Sequence, residues 1–156
     1  MSTQKGFALW TVDVRTGRLR QLTSGLFADR SPQWSPDGTR IGFEREGTIM
    51  TMRLRDHRLT RLGEGYSFAW SPDGRRIAFW RKGSLWLMNA NGSHEHRVGV
   101  FGIDGFTWSA DGKWIVFNGG NGGGDLSAIH PNGSGRHVIR RESGGPNGWH
   151  ANYPDG

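Results

Sequence analysis

The side chains best able to do chemistry fall in short clusters along this chain. His94-Glu95-His96 sets two imidazoles on one side of an extended segment with a carboxylate between them, a donor set that suits zinc. Such a site needs a third protein ligand, and none is identifiable. His57, His130 and His137 sit in comparable turns elsewhere along the chain, which separates them in space. The expectation is solvated turn histidines and no metal. The run Gly119-Gly120-Asn121-Gly122-Gly123-Gly124-Asp125 lacks the Gly-Lys-Ser/Thr ending of a phosphate-binding loop, and no helical pattern follows it. It has some likeness to a calcium-binding nonapeptide but occurs once, whereas those sites need stacked copies. It reads as a loop between strands, and no cofactor is expected. For hydrolysis there is no Gly-x-Ser-x-Gly elbow, and the absence of cysteine removes thiol nucleophiles, Cys-based metal sites and disulfides. Asp37, Asp73, Asp111 and Asp155 recur at regular intervals. Catalysis normally needs one unique constellation, so the recurrence argues for a structural task. These readings together expect a non-enzymatic chain. One cluster remains: Trp80-Arg81-Lys82 joins an aromatic ring to two cations, which would suit a carboxylate or an acidic peptide.

What positions these residues is an internal repeat. Trp34-Ser35-Pro36-Asp37-Gly38, Trp70-Ser71-Pro72-Asp73-Gly74 and Trp108-Ser109-Ala110-Asp111-Gly112 are near copies, their tryptophans 36 and then 38 residues apart. Seven residues after each Trp comes Ile41, Ile77 or Ile115, and nine after comes Phe43, Phe79 or Phe117. Each copy makes sense as a hairpin. A strand ends at Trp. Pro presets φ within the turn, Ser and Asp bond nearby backbone N–H groups, and Gly accepts a positive φ. A second strand follows with apolar residues on both faces, as in Ile77-Ala78-Phe79, which predicts burial on both sides. Third strands are predicted at 49–52, 85–88 and 126–129. Turns at Arg55-Asp56-His57, Asn91-Gly92 and Asn132-Gly133 lead into fourth strands. Four antiparallel strands per repeat of about 40 residues is the pattern of a β-propeller blade. A lone blade cannot cover both its faces, so the recurring Trp and Phe are expected to pack between blades.

These residues resemble the repeat of TolB-like propellers. The resemblance rests on Trp-Ser-Pro-Asp-Gly-x-x-Ile-Ala-Phe, followed by Leu85-Trp86-Leu87-Met88-Asn89 and an Asn-Gly turn. It covers nearly the whole chain. It implies an all-β propeller of four-stranded blades, seen in bacterial TolB, in propeller domains of prolyl-oligopeptidase-like peptidases and in sensor or regulatory fusions. Repeats are expected at about 24–62, 63–98 and 99–140, within one domain over 1–156. Ala8-Leu9-Trp10-Thr11-Val12-Asp13 aligns with Ser84 to Asn89, so 7–23 reads as a half-blade; Tyr153-Pro154-Asp155-Gly156 resembles a degraded turn, so 149–156 reads as another. Three whole blades fall below the usual four to eight. Exposed edges at both ends are therefore expected to invite self-association, or completion by further chain.

In such blades the connections leaving strands two and four share one face. The longer ones are expected at Thr23 to Gln33, Gly99 to Gly105, Asn118 to Asp125 and Arg141 to Asn152. Variable loops on a rigid frame are where function concentrates. The candidate binding residues are Phe27, Asp29, Arg30, Glu44, Arg45, Trp80, Arg81, Lys82, Trp149 and His150. The expected partner is a protein or peptide, with an acidic one suited to the cations. Net charge is +6, with 17 arginines among 20 basic residues. Acids and glycines separate most of them, so a mixed surface is expected rather than a nucleic-acid face, even at Arg53, Arg55, Arg58 and Arg61. No run approaches a membrane helix, and 1–6 lacks the form of a signal peptide. As written, the chain is expected in the cytoplasm, or in the periplasm if it follows TolB itself. The leading expectation is a binding or scaffold module. The alternative is the propeller portion of a prolyl-oligopeptidase-like serine peptidase whose catalytic domain lies elsewhere.

Overall fold

The computed structural model describes residues 6–119 and 124–141, which form fourteen strands and no helix. A two-stranded ribbon comes first: β1 (Trp10–Val12) and β2 (Leu19–Gln21). Three four-stranded antiparallel sheets follow, each in simple sequence order. The first holds β3 (Asp29–Trp34), β4 (Arg40–Arg45), β5 (Thr48–Arg53) and β6 (Arg58–Glu64). The second holds β7 (Tyr66–Trp70), β8 (Arg76–Arg81), β9 (Ser84–Asn89) and β10 (His96–Phe101). The third holds β11 (Ile103–Trp108), β12 (Ile115–Gly119), β13 (Leu126–Ile129) and β14 (His137–Arg140). The half-blade expected at 149–156 lies outside the described residues.

The repeated turn closes each first hairpin identically. The Ser71 Oγ–H donates to Asp73 Oδ1 (2.6 Å) while Oγ accepts from the Arg76 N–H (2.9 Å); the Gly74 N–H donates to the Ser71 carbonyl (2.8 Å). Ser35 with Asp37, and Ser109 with Asp111, repeat these contacts. Gly38, Gly74 and Gly112 all sit at φ +67°, where a Cβ is strained. Ser35, with Thr39, holds the Asp37 carboxyl down at about 2. Ser71 and Ser109 likewise lower Asp73 and Asp111. The recurring aspartates are thus occupied as turn acceptors.

The core lies between sheets. Ile77, Phe79 and Met88 face the first sheet and join Ile49 and Leu62, with Phe68 and Trp70 in the same cluster. Ala78, Leu85 and Leu87 face the other way and join Trp108, Ile115, Phe117 and Ile129 of the third sheet. Strands β8 and β9 are therefore apolar on both faces because both faces are covered. Burying each of the fully enclosed phenylalanines contributes about 2–3 kcal/mol. The crossing from the first sheet to the second is a single residue, Gly65; a Cβ there would lie 2.5 Å from Phe79 Cδ2. Only glycine lets the backbone pass over that ring.

Two expectations are corrected here. Trp34 does not pack between blades. It is 57% exposed, whereas Trp70 and Trp108 are each 8% exposed. Trp70 and Trp108 lie against the inner strands of the preceding sheet. On the corresponding side of Trp34 the described residues supply only the ribbon β1–β2, which touches the first sheet through Leu9, packed with Phe43 and Met52. Two of the connections expected to be long, Thr23 to Gln33 and Gly99 to Gly105, are also shorter, while Arg141 to Asn152 lies beyond the described residues apart from Arg141. Strand β3 already starts at Asp29, and β10 and β11 are separated by Gly102 alone.

Candidate functional site

The strand registers bring one edge of each sheet to the same face. Asp29 pairs with Arg45, Arg45 with Thr48 and Thr48 with Glu64; in the second sheet Tyr66 pairs with Trp80 and Arg81 with Ser84. Tight turns finish this face, Glu46-Gly47 and Lys82-Gly83, each with both residues at positive φ. A register shift interrupts each innermost strand near its start, between Arg30 and Gln33, Tyr66 and Phe68, and Ile103 and Gly105. In the first two sheets the extra residue is a serine in the left-handed region, Ser31 at φ 50° and Ser67 at φ 48°. Such a bulge re-aims the neighbouring side chain and costs about 1 kcal/mol or more.

The residues singled out from sequence separate into two groups. One group is spent on structure. Asp29 is buried and receives two bonds from Arg45, Nε to Oδ1 at 2.6 Å and Nη2 to Oδ2 at 2.8 Å. The Arg45 guanidinium also lies over the Phe27 ring (4.8 Å) and the Phe43 ring (5.2 Å). Phe27, Asp29 and Arg45 thus clasp the connection from the N-terminal ribbon onto the first sheet. Arg81 turns back along its own sheet, pairs with Glu95 and covers the Trp86 ring at 3.8 Å. Both arginines are thus held by acids of their own chain, and of the two cations in Trp80-Arg81-Lys82 only Lys82 stands exposed. Glu95 is likewise taken from the His94-Glu95-His96 cluster. Among the described residues no three His, Asp or Glu side chains are placed to hold a metal ion. The arginine stripe on the outer strands is partly neutralised by Arg53 with Asp56 and Arg61 with Glu64.

The second group faces the strand starts. Arg30 lies over the Phe7 ring at 5.2 Å. Glu44 accepts the Ser67 N–H at 2.7 Å, linking the first sheet to the second. Lys82 is exposed at its turn. Trp80 lines a pocket of about 210 Å³ with Tyr66, Ser67, Asp104 and Phe106. Trp149 and His150 lie outside the described residues.

Tyr66, Asp104 and Phe106 were not among the sequence candidates, yet the repeat marks two of them. Four residues before each repeat Trp stand Arg30, Tyr66 and Asp104; ten after stand Glu44, Trp80 and Asn118. The Ser, Asp, Gly, Ile and Phe of the frame recur, while these two positions change chemistry in every copy. Asp104 is exposed and forms no hydrogen bond or ion pair with the described residues.

These sheets are β-propeller blades, a fold this chain shares with TolB and with other propeller proteins. TolB from Acinetobacter baumannii superposes with TM-score 0.69 at 19% identity, over 85% of this chain and 37% of that one. A chain of a nidogen–laminin complex gives TM-score 0.66 at 11% identity, over 90% of this chain and 60% of that one. A prolyl endopeptidase gives TM-score 0.66 at 13% identity, over 90% of this chain and 27% of its own. This chain therefore spans less than two thirds of each of these proteins. No protein-family model matches it, and neither does any curated protein sequence.

Proposed function

We propose that the chain is a non-catalytic binding module. It would engage a protein or peptide through the face where the innermost strands begin. The observation that carries this reading is the contrast within the repeat: a recurring frame holds six side chains that differ from copy to copy, and three of them, Tyr66, Trp80 and Asp104, share a pocket with Phe106. Variation confined to one end of a rigid scaffold is the arrangement binding sites use. The matching chain of the nidogen–laminin complex, which shares this fold, was crystallised with a protein partner.

Selection of a random peptide library on the immobilised chain tests this reading. Selected peptides should lose binding to a Tyr66→Ala/Trp80→Ala variant and keep it for Arg55→Ala/Arg58→Ala, which alters the opposite edge. Peptides indifferent to Tyr66 and Trp80 would overturn the choice of face.

The second reading makes the chain the propeller portion of a serine peptidase. It is supported by the likeness to the prolyl endopeptidase, of which this chain matches about a quarter. A continuation of the reading frame carrying a Gly-x-Ser-x-Gly elbow would favour it.

A further inference from the structure

The pocket between the second and third sheets combines three aromatic rings with a carboxylate. Tyr66, Trp80 and Phe106 supply the walls, and Asp104 stands among them without an ion-pair partner in the described residues. We propose that this cup receives a cationic side chain, lysine or arginine, from the bound peptide or protein. The inference rests on the binding-face reading and gives it a ligand chemistry.

Charge argues for a cation. The molecule carries net charge +6, yet the charged side chains at the cup are acidic. Asp104 lines it, and Glu44 bonds the backbone of Ser67, another lining residue. The arginines that follow Glu44 and Trp80 in their strands, Arg45 and Arg81, are bound to Asp29 and Glu95, and Lys82 does not line the pocket. An anion would meet a carboxylate with no compensating positive charge among the lining residues. A cation would gain both the carboxylate and the negative faces of the rings.

Size argues for a single side chain. At about 210 Å³ the cup falls below the ~300–1,000 Å³ of sites for drug-sized ligands and cofactors. Half of the Tyr66 surface is open, so a chain lying across the face can insert one residue. The register shift at Tyr66 to Phe68, with Ser67 at φ 48°, supplies the local kink at the pocket's edge.

The test uses two blocked amino acids of nearly equal length, Nα-acetyl-lysine methylamide and Nα-acetyl-norleucine methylamide. Binding is followed by the indole N–H signal of Trp80 in ¹H–¹⁵N spectra. The lysine probe should shift that signal and bind about tenfold or more tightly than the norleucine probe, with an advantage that shrinks as salt rises. Asp104→Asn is isosteric and exposed, so it should keep the melting temperature while removing most of the lysine preference. Equal affinity for the two probes, or a preference untouched by Asp104→Asn, would overturn the cationic assignment while leaving the binding face to the peptide selection. No shift of Trp80 with either probe would overturn the cup itself. A shift by methyl glucoside matching that by lysine would also overturn it, in favour of a sugar site.

Discussion

The three repeat tryptophans provide a controlled experiment within one molecule. They occupy the same position in the same hairpin, but Trp70 and Trp108 are each 8% exposed while Trp34 is 57% exposed. A Trp side chain buries about 150–250 Å², so full burial is worth about 4–6 kcal/mol at about 25 cal/mol per Å². Replacement by alanine should therefore cost about 3–5 kcal/mol at Trp70 or Trp108 and about 1–2 kcal/mol at Trp34. The indole nitrogens sharpen the comparison. Trp108 Nε1 donates to the Ala69 carbonyl at 3.2 Å, whereas the buried Nε1 of Trp70 has no acceptor. Trp108→Phe loses ring area and leaves that carbonyl without its donor, for about 2 kcal/mol; Trp70→Phe also removes an unpaired buried N–H and should cost well under 1 kcal/mol. Urea unfolding followed by far-ultraviolet circular dichroism measures all five variants without relying on tryptophan emission. A Trp34→Ala loss equal to that of Trp70→Ala would mean that this face is covered, and the reasoning from exposure would fail. Measuring at several protein concentrations distinguishes cover by a second copy from cover within the chain.

Three further outcomes are expected. Gly74→Val, at φ +67° and against the Pro36 ring of the preceding turn, should lower stability by about 1–3 kcal/mol in the same unfolding assay, and an unchanged midpoint would contradict the turn geometry. Arg45→Leu leaves the buried Asp29 carboxylate without its guanidinium and should cost about 3 kcal/mol, while Asp29→Asn/Arg45→Leu should recover much of the loss; additive single losses in that double-mutant cycle would show that the pair is uncoupled. The Asp37 carboxyl is held at about 2 by Ser35 and Thr39, below its unfolded value near 4. Its stabilising effect is thus present above pH ~4 and is lost as pH falls through the folded value; carboxyl-carbon NMR should place its midpoint near 2, and Ser35→Ala should raise it.

The frame was legible because it is local. A Trp, a turn of fixed chemistry and an Ile-x-Phe strand appear three times at constant offsets, and those contacts repeat in the structure almost atom for atom. The candidate site was less legible because its members are far apart in sequence and carry no shared motif. Tyr66 and Asp104 stand 38 residues apart and meet only through the packing of adjacent sheets. Side-chain type also misled. Arg45 and Arg81 looked available for a ligand, but long cationic side chains can fold back over neighbouring rings, and nothing local in the sequence foretells Glu95 as the partner of Arg81. Trp34 followed the repeat perfectly and was still exposed, because its burial depends on what stands beside the first sheet and not on its own hairpin.

The clusters of apolar residues join each sheet only to the one beside it, so cohesion here passes from neighbour to neighbour like the coupling of spins on a line. Among the described residues the middle sheet has a four-stranded neighbour on each face, the first sheet has one and the small ribbon cluster at Leu9, and the third sheet has one. Amide hydrogens of β8 and β9 should then exchange last, and unfolding should start at the flanks and travel inward. A lesion at Phe79 would be worse than its own cavity, since it would cut the line at its centre and leave two short segments to melt independently.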